Sequence, residues 1–250
     1  MIYITGDTHS DFERFNRKIF PEQKTMTKED YVIICGDFGG VWYMEDDNRT
    51  ENYQLDWLAS KNCSVLFVDG NHENHDRLDA MPVEEWHGGK VHKIRDSVIH
   101  LMRGQIYEIG GCRFFTFGGA QSHDIQDGIL ELDDPKLKEK KKKMNRNGSR
   151  YRVNHESWWE QELPSEAEMQ EGIKNLERCG WKVDYVITHC APTSVQNKMD
   201  KEGYQADPLT EYLEMIHEKC EYKYWFCGHY HDNVNVSEKD KVLYEQIIRI

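Results

Sequence analysis

Three stretches decide how this chain folds: IYITGDTH at residues 2–9, YVIICGD at 31–37 and SVLFVDGNH at 64–72. Each is a short apolar run that ends in glycine and a polar side chain. Continuous apolar runs of four or five residues predict strands buried on both faces, as in an α/β sheet covered by helices. The segments between them carry helical spacing. Phe12, Phe15, Ile19 and Phe20 predict one helix over 11–20, and Tyr53, Leu55, Trp57 and Leu58 predict another over 50–60. The polar residues gather where strands end, which is where open α/β sheets build their sites.

Composition bounds the rest. The 250 residues are 38% hydrophobic, 12% aromatic and 31% charged. That length supports a large buried core without disulfides, and the aromatic content excludes a disordered chain. A net charge of -13 disfavours general association with nucleic acid or anionic membrane. The imbalance is local, because KLKEKKKKMNRNGSRYR at 136–152 holds nine Lys or Arg against one Glu, so the remainder sums to -21. No apolar run is long enough for a membrane span, and Met1 leads directly into a strand. Seven scattered Cys predict reduced thiols and a cytoplasmic location.

Beyond residue 90 the pattern predicts adjacent antiparallel strands at 98–102, 105–109 and 112–117, with Gly110-Gly111 as a hairpin turn. Residues 121–155 lack apolar periodicity and read as a basic loop insertion. A short helical piece at 157–161 and a helix at 165–179 follow, the latter opened by a Ser165/Glu168 capping box. A strand at 183–188 delivers His189, a helix spans 208–220, and a strand at 224–227 delivers His229 and His231. The tail reads as a hairpin around 238–241. These elements predict one domain over 1–250 with mixed sheets.

Five strand ends therefore supply Asp7 and His9; Asp37; Asn71 and His72; His189; and His229 and His231. A single Asp after Gly is ordinarily a turn residue. Two carboxylates, one carboxamide and five imidazoles at one sheet edge are another matter, because such a cluster is costly without a cation. Carboxylate and imidazole suit Zn, Fe, Mn or Ni. Seven of the eight suffice for two divalent ions if one acid bridges them, and Asp37, the only acid at the middle strand end, is the natural bridge. Cys35, Cys190 and Cys227 read as small buried hydrophobes.

In order, Gly6-Asp7-Thr8-His9, Gly36-Asp37, Gly70-Asn71-His72-Glu73, Thr188-His189 and Gly228-His229-Tyr230-His231 resemble the signature blocks of the calcineurin-like metallophosphoesterases. The resemblance implies a four-layer α/β/β/α sandwich with a dinuclear metal site at the C-terminal edge of its strands. It implies one metal on Asp7, His9, Asp37 and His231, and the other on Asp37, Asn71, His189 and His229. His72 would be the catalytic partner, as transition-state ligand or general acid, beside a bridging water activated by the metals at Asp37. The sequence departs from the phosphoprotein-phosphatase branch, where GDxxDRG follows the second strand. Here that stretch is Gly36-Asp37-Phe38-Gly39-Gly40-Val41, without the supporting Asp and the phosphate-binding Arg. Another cation must then grip phosphate, and Arg77, Arg146, Arg150 and Arg152 are the candidates, since Arg offers two parallel donors. His123 and Asp124 are placed to reach the site from the insertion.

The expectation is hydrolysis of a small phosphomonoester or phosphodiester. A nuclease is the alternative within enzymes, opposed by the acidic balance. A non-catalytic protein-binding scaffold is the alternative outside them, which loss of His72 or several ligands would mark, and none is lost.

Overall fold

A computed structural model describes residues 1–43, 48–199 and 205–250. In chain order the first strands are β1 (Ile2–Thr5), β2 (Tyr31–Ile34), β3 (Ser64–Phe67), β4 (Val83–Trp86), β5 (Gly89–Arg95) and β6 (Val98–Leu101). Then come β7 (Gln105–Ile109), β8 (Cys112–Phe117), β9 (Ile129–Leu130), β10 (Arg152–Val153), β11 (Tyr185–Thr188) and β12 (Tyr224–Cys227). The last are β13 (Val234–Asn235), β14 (Asp240–Val242) and β15 (Ile248–Arg249). The helices are α1 (Arg49–Ala59), α2 (His75–Asp79), α3 (Leu137–Asn147), α4 (Glu166–Arg178), α5 (Thr193–Met199) and α6 (Pro208–Lys219).

Two mixed sheets carry the fold. One runs β15-β1-β2-β3-β6-β5-β4 and the other β13-β14-β12-β11-β8-β7. The strands that deliver the polar ends are parallel neighbours, β1 with β2 and β2 with β3 in the first sheet, β11 with β12 in the second. Parallel pairing puts their C-terminal ends on one side within each sheet. A shared apolar cluster joins the sheets, with Ile4, Ile33, Leu66 and Ile99 from one and Tyr107, Phe114, Ile187 and Phe226 from the other. The opposite face of the first sheet packs Val32, Val65 and Phe67 against Leu55 and Leu58 of α1. The opposite face of the second packs Phe115, Val186 and Trp225 against Leu176 of α4 and Leu209, Leu213 and Ile216 of α6. The predicted Ser165/Glu168 capping box opens α4. Among the described residues no helix is long and apolar enough to cross a membrane.

Several expectations change, among them the helical piece at 157–161, which is a 3-10 turn at Glu160–Glu162. The strands at 98–101 and 105–109 are not neighbours: β6 lies between β3 and β5, whereas β7 pairs with β8 in the other sheet. All four residues of β6 are buried, so it needs an inner position rather than a hairpin edge. Residues 11–20 form no α-helix but a 3-10 turn at Glu13–Phe15, and another follows at Pro21–Thr25. The three-residue spacing of Phe12 and Phe15 suits that tighter turn. In α1, Leu55 and Leu58 face the core, but Tyr53 stands in solvent, 72% exposed.

The insertion is not one loop. Leu137–Asn147 is helical, and the two-stranded β9-β10 ribbon ties its flanks together. The helix has no buried residue, which is why apolar periodicity missed it. Its Lys, Glu, Leu and Met content favours helix without packing. Gly148, in the left-handed region at φ 66°, ends it while Gly148 and Ser149 donate their N–H groups to the Asn145 and Met144 carbonyls.

Candidate metal centre

The strand ends meet across the two sheets. Asp7 and Asp37 are fully buried at the ends of β1 and β2, and His189 is fully buried at the end of β11. His9 and His231 lie at the rim, with side chains 32% and 50% exposed. The glycines before Asn71 and His229 have a steric reason. A Cβ on Gly70 would sit 2.0 Å from Asp37 Oδ1, and one on Gly228 would sit 2.0 Å from Asp7 Oδ1. Only a glycine lets the carboxylate from another strand end lie against the backbone there. His9, Asp37, His229 and His231 all occupy the left-handed region, at φ 45°, 43°, 68° and 47°. Such strain costs roughly 1–3 kcal/mol per residue and concentrates at functional sites.

Asp7, His9, Asp37 and His231 each bring a ligand atom to within 4.8 Å of all the others. His9 Nε2 lies 2.9 Å from His231 Nε2 and 3.6 Å from Asp37 Oδ2, and His231 Nε2 lies 3.2 Å from Asp7 Oδ2. Two imidazole nitrogens facing each other at that distance leave one of them poorly satisfied unless a cation or proton intervenes. A second group surrounds the other Asp37 oxygen. His189 Nε2 is 3.4 Å from Asp37 Oδ1 and 3.2 Å from Asn71 Oδ1. His189 Nδ1 is held 2.8 Å from the Cys35 carbonyl, which requires the Nδ1–H tautomer and leaves Nε2 as the coordinating atom. The His189 and His229 ring centroids are 5.0 Å apart.

The electrostatics suit a cation. Burial would lower the His189 pKa, but Asp37 and Asp7 outweigh it and push it up to about 10. Burial would raise the Asp37 carboxyl, but the imidazoles of His189, His72 and His9 hold it below the usual carboxylate range. His231 is raised by its hydrogen bond to Asp7. Burial drives His9 down and His229 well down, favouring neutral rings with free lone pairs. The buried acids thus hold a proton where a metal ion would displace it.

Several supporting residues were not singled out by the sequence. The Asn71 amide nitrogen donates to Ser122 Oγ (3.2 Å), whose hydroxyl donates to Glu162 Oε2 (2.5 Å), and Ser122 N–H donates to Glu162 Oε1 (2.9 Å). As a carboxylate Glu162 only accepts, so Ser122 must accept from Asn71, turning the amide oxygen toward His189. Burial pushes the Glu162 carboxyl up to about 7, so the relay has this one direction above that pH. Glu73 accepts from the Phe38 and Gly39 N–H groups and fixes the turn after Asp37. Arg14 clamps the end of β1 through the carbonyls of Gly6, Asp7 and Tyr244. The only sequence trace of these roles was the placement of Glu73 within the Gly70–Glu73 block.

The remaining candidates separate. His72 donates its backbone N–H to Asp37 Oδ1 (2.8 Å), and its ring lies 5.4 Å from that of His9. Burial, first, and Arg152 lower the His72 pKa, with Asp37 acting in the other direction. His72 and Arg152 line one cleft of about 300 Å³ with His9, Gly39 and Trp42. Arg152 is oriented there by Asp124, with Nε and Nη2 at 2.8 and 2.5 Å from Oδ2. His123 Nε2 approaches His229 Nε2 at 3.1 Å. Arg77 is turned elsewhere, bonded to Glu51 (2.5 Å) and the Tyr43 carbonyl (2.8 Å). Arg146 and Arg150 are exposed on and just after α3 and do not line that cleft. All seven cysteines are free, and Cys35, Cys190 and Cys227 are buried in the apolar clusters.

Comparison with known proteins gives two results. The family model of the calcineurin-like phosphoesterases matches residues 1–233. The chain is also similar to lariat debranching enzyme A of Xenopus laevis, 26% identical over 142 residues, which cover 52% of this chain and 26% of that protein. It is 24% identical to the lariat debranching enzyme of Drosophila pseudoobscura pseudoobscura over 259 aligned positions, covering 92% of this chain and 42% of the relative. The chain thus spans less than half the length of these curated relatives.

Proposed function

The chain belongs to the calcineurin-like phosphoesterase family, and from that premise we propose that it hydrolyses a phosphomonoester or phosphodiester at a centre of two divalent metal ions. The observation that carries this reading is the convergence of Asp7, His9, Asp37 and His231 within 4.8 Å, with His189 against the other Asp37 oxygen and Asn71 against His189. On this reading the fold is a four-layer sandwich whose strand C-terminal edge holds the metals. One would be held by Asp7, His9, Asp37 and His231. The other would be held by Asp37, Asn71, His189 and His229, with His123 beside it. Bound there, two divalent ions supply an acidified water and offset charge on the phosphoryl oxygens.

The chain's own residues do the rest. Asp37 would share its carboxylate between both positions and so reduce their mutual repulsion. The Ser122–Glu162 relay presents the neutral oxygen of Asn71, which adds no negative charge facing the phosphate. His72, set in the cleft, gives a proton to the departing oxygen or stabilises its charge. Arg152, held in the same cleft by Asp124, binds a phosphate oxygen in place of the missing branch arginine.

A nuclease is the second reading, favoured by one observation: both curated relatives are lariat debranching enzymes. The test is turnover of p-nitrophenyl phosphate and bis(p-nitrophenyl) phosphate after loading with Mn²⁺, Ni²⁺, Zn²⁺, Fe²⁺ or Mg²⁺. Metal-dependent release of nitrophenol, abolished by EDTA, is the expected result. No turnover of either ester with any of the metals would contradict it.

A further inference from the structure

Three depressions beside the candidate centre share walls. The cleft at His72 and Arg152 has His9, Ser10 and Gln54 in common with a second depression of about 480 Å³. That one shares Asn16 and Trp57 with a third of about 630 Å³. Adjoining depressions therefore lead from the centre along α1 toward its C-terminal end.

The lining changes character along this path. Trp42 and the half-exposed Tyr43 stand next to His72. Midway, Tyr53 projects from α1 into solvent, with Asp11 and Glu13 nearby. At the far end Arg17, Lys18 and Lys61 gather beside Trp57, with Lys61 Nζ 3.2 Å from the indole centroid. Among the described residues no carboxylate lies within ion-pair distance of these three cations. Burial, first, and the neighbouring Arg17 charge push Lys61 down to about 8. Three cations gathered with no carboxylate among the described residues in ion-pair distance repel one another, and an anionic ligand would relieve that repulsion.

We propose that this groove carries a single strand of nucleic acid, with the scissile phosphodiester at the metal-ligand cluster, a base against Tyr53 and a distal phosphate on Arg17, Lys18 and Lys61. Aromatic faces need an unstacked base, which a single strand offers and a duplex withholds. Asp11 and Glu13 suit the amino groups on base edges, which donate to carboxylates. The net negative charge suppresses non-specific binding elsewhere, so the groove sets where a strand lies. This inference rests on the phosphoesterase reading and names the substrate of the same site.

The test is binding of a fluorescein-labelled single-stranded oligonucleotide of about ten nucleotides, measured by anisotropy in EDTA to prevent cleavage. Turnover of bis(p-nitrophenyl) phosphate by the metal-loaded preparations reports the centre separately. Arg17→Ala with Lys61→Ala should weaken strand binding and lower the log–log salt slope by about 0.7 for each phosphate that is no longer neutralised. Tyr53→Ala should weaken it roughly fivefold to a hundredfold, the scale of one stacked base. Wild-type affinity and salt slope in all variants would overturn the groove assignment, as would absence of strand binding by a protein that turns over the small diester. Equal binding of a duplex, or equal competition by a nucleoside triphosphate, would overturn the single-strand assignment. Failure of small-diester turnover would strike the phosphoesterase reading, while the binding data still decide the groove.

Discussion

The strand ends and the insertion at 121–155 both concentrate charge, yet they behave differently. At the strand ends Asp7, Asp37 and His189 are fully buried and fixed by glycine contacts and hydrogen bonds, with Asp37 also in the left-handed region. In the insertion most of the positive charge lies on α3, which buries no residue. Lys140 pairs there with Asp134, and Lys141 with Glu156 at 2.5 Å. Only the flanks of the insertion reach the centre: Ser122 on Asn71, His123 on His229, and Arg152 in the His72 cleft. Density of charge along a sequence thus says little about proximity to a site. What matters is whether the backbone on either side is anchored.

The sharpest way to break this contrast is at His72. His72→Ala should keep metal content and fold while reducing turnover roughly 10²- to 10⁴-fold for an ester with a poor leaving group. The loss should shrink for an aryl phosphate if His72 is the general acid. Steady-state rates on both esters, with elemental analysis, check this.

Ser122→Ala probes one anchored flank of the insertion. It frees the Asn71 amide to rotate and should weaken one of the two metal positions by roughly 10- to 100-fold, the usual cost of losing an orienting partner. Calorimetric titration with Mn²⁺ should show one affinity changed and one kept, with Ser122→Thr restoring the first. Two unchanged affinities would remove the relay from the account.

Arg152 and the helix lysines give the smallest effects and compare flank with middle directly. Arg152→Ala should raise KM about tenfold at any salt concentration, as a charge-assisted phosphate contact would require. Neutralising Lys140, Lys141, Lys142 and Lys143 together should change kcat/KM less than about twofold at physiological salt, where the Debye length is about 8 Å. The reverse pattern would mean that α3 closes over the centre.

Much of the centre was legible because a buried strand followed by glycine fixes where the next side chain stands. The parallel strands that carry the eight strand-end residues were readable from continuous apolar runs. Arg77 was not legible as a structural residue, because its ion pair with Glu51 joins segments that only the fold brings together. The same holds for Ser122 and Glu162, forty residues apart. The change of sheet after β6 was hidden because a fully buried strand and a hairpin strand share one apolar pattern. Helix α3 was hidden because it packs on nothing.

The most direct test of the whole account is the metal stoichiometry of Asp37→Asn, measured by elemental analysis alongside phosphoester turnover. The wild-type protein should hold two divalent ions per chain. Removing the shared negative ligand should weaken both positions together and abolish turnover. An Asp37→Asn protein that still holds two ions at wild-type affinity, or turns over substrate at the wild-type rate, would contradict a dinuclear centre bridged at this residue.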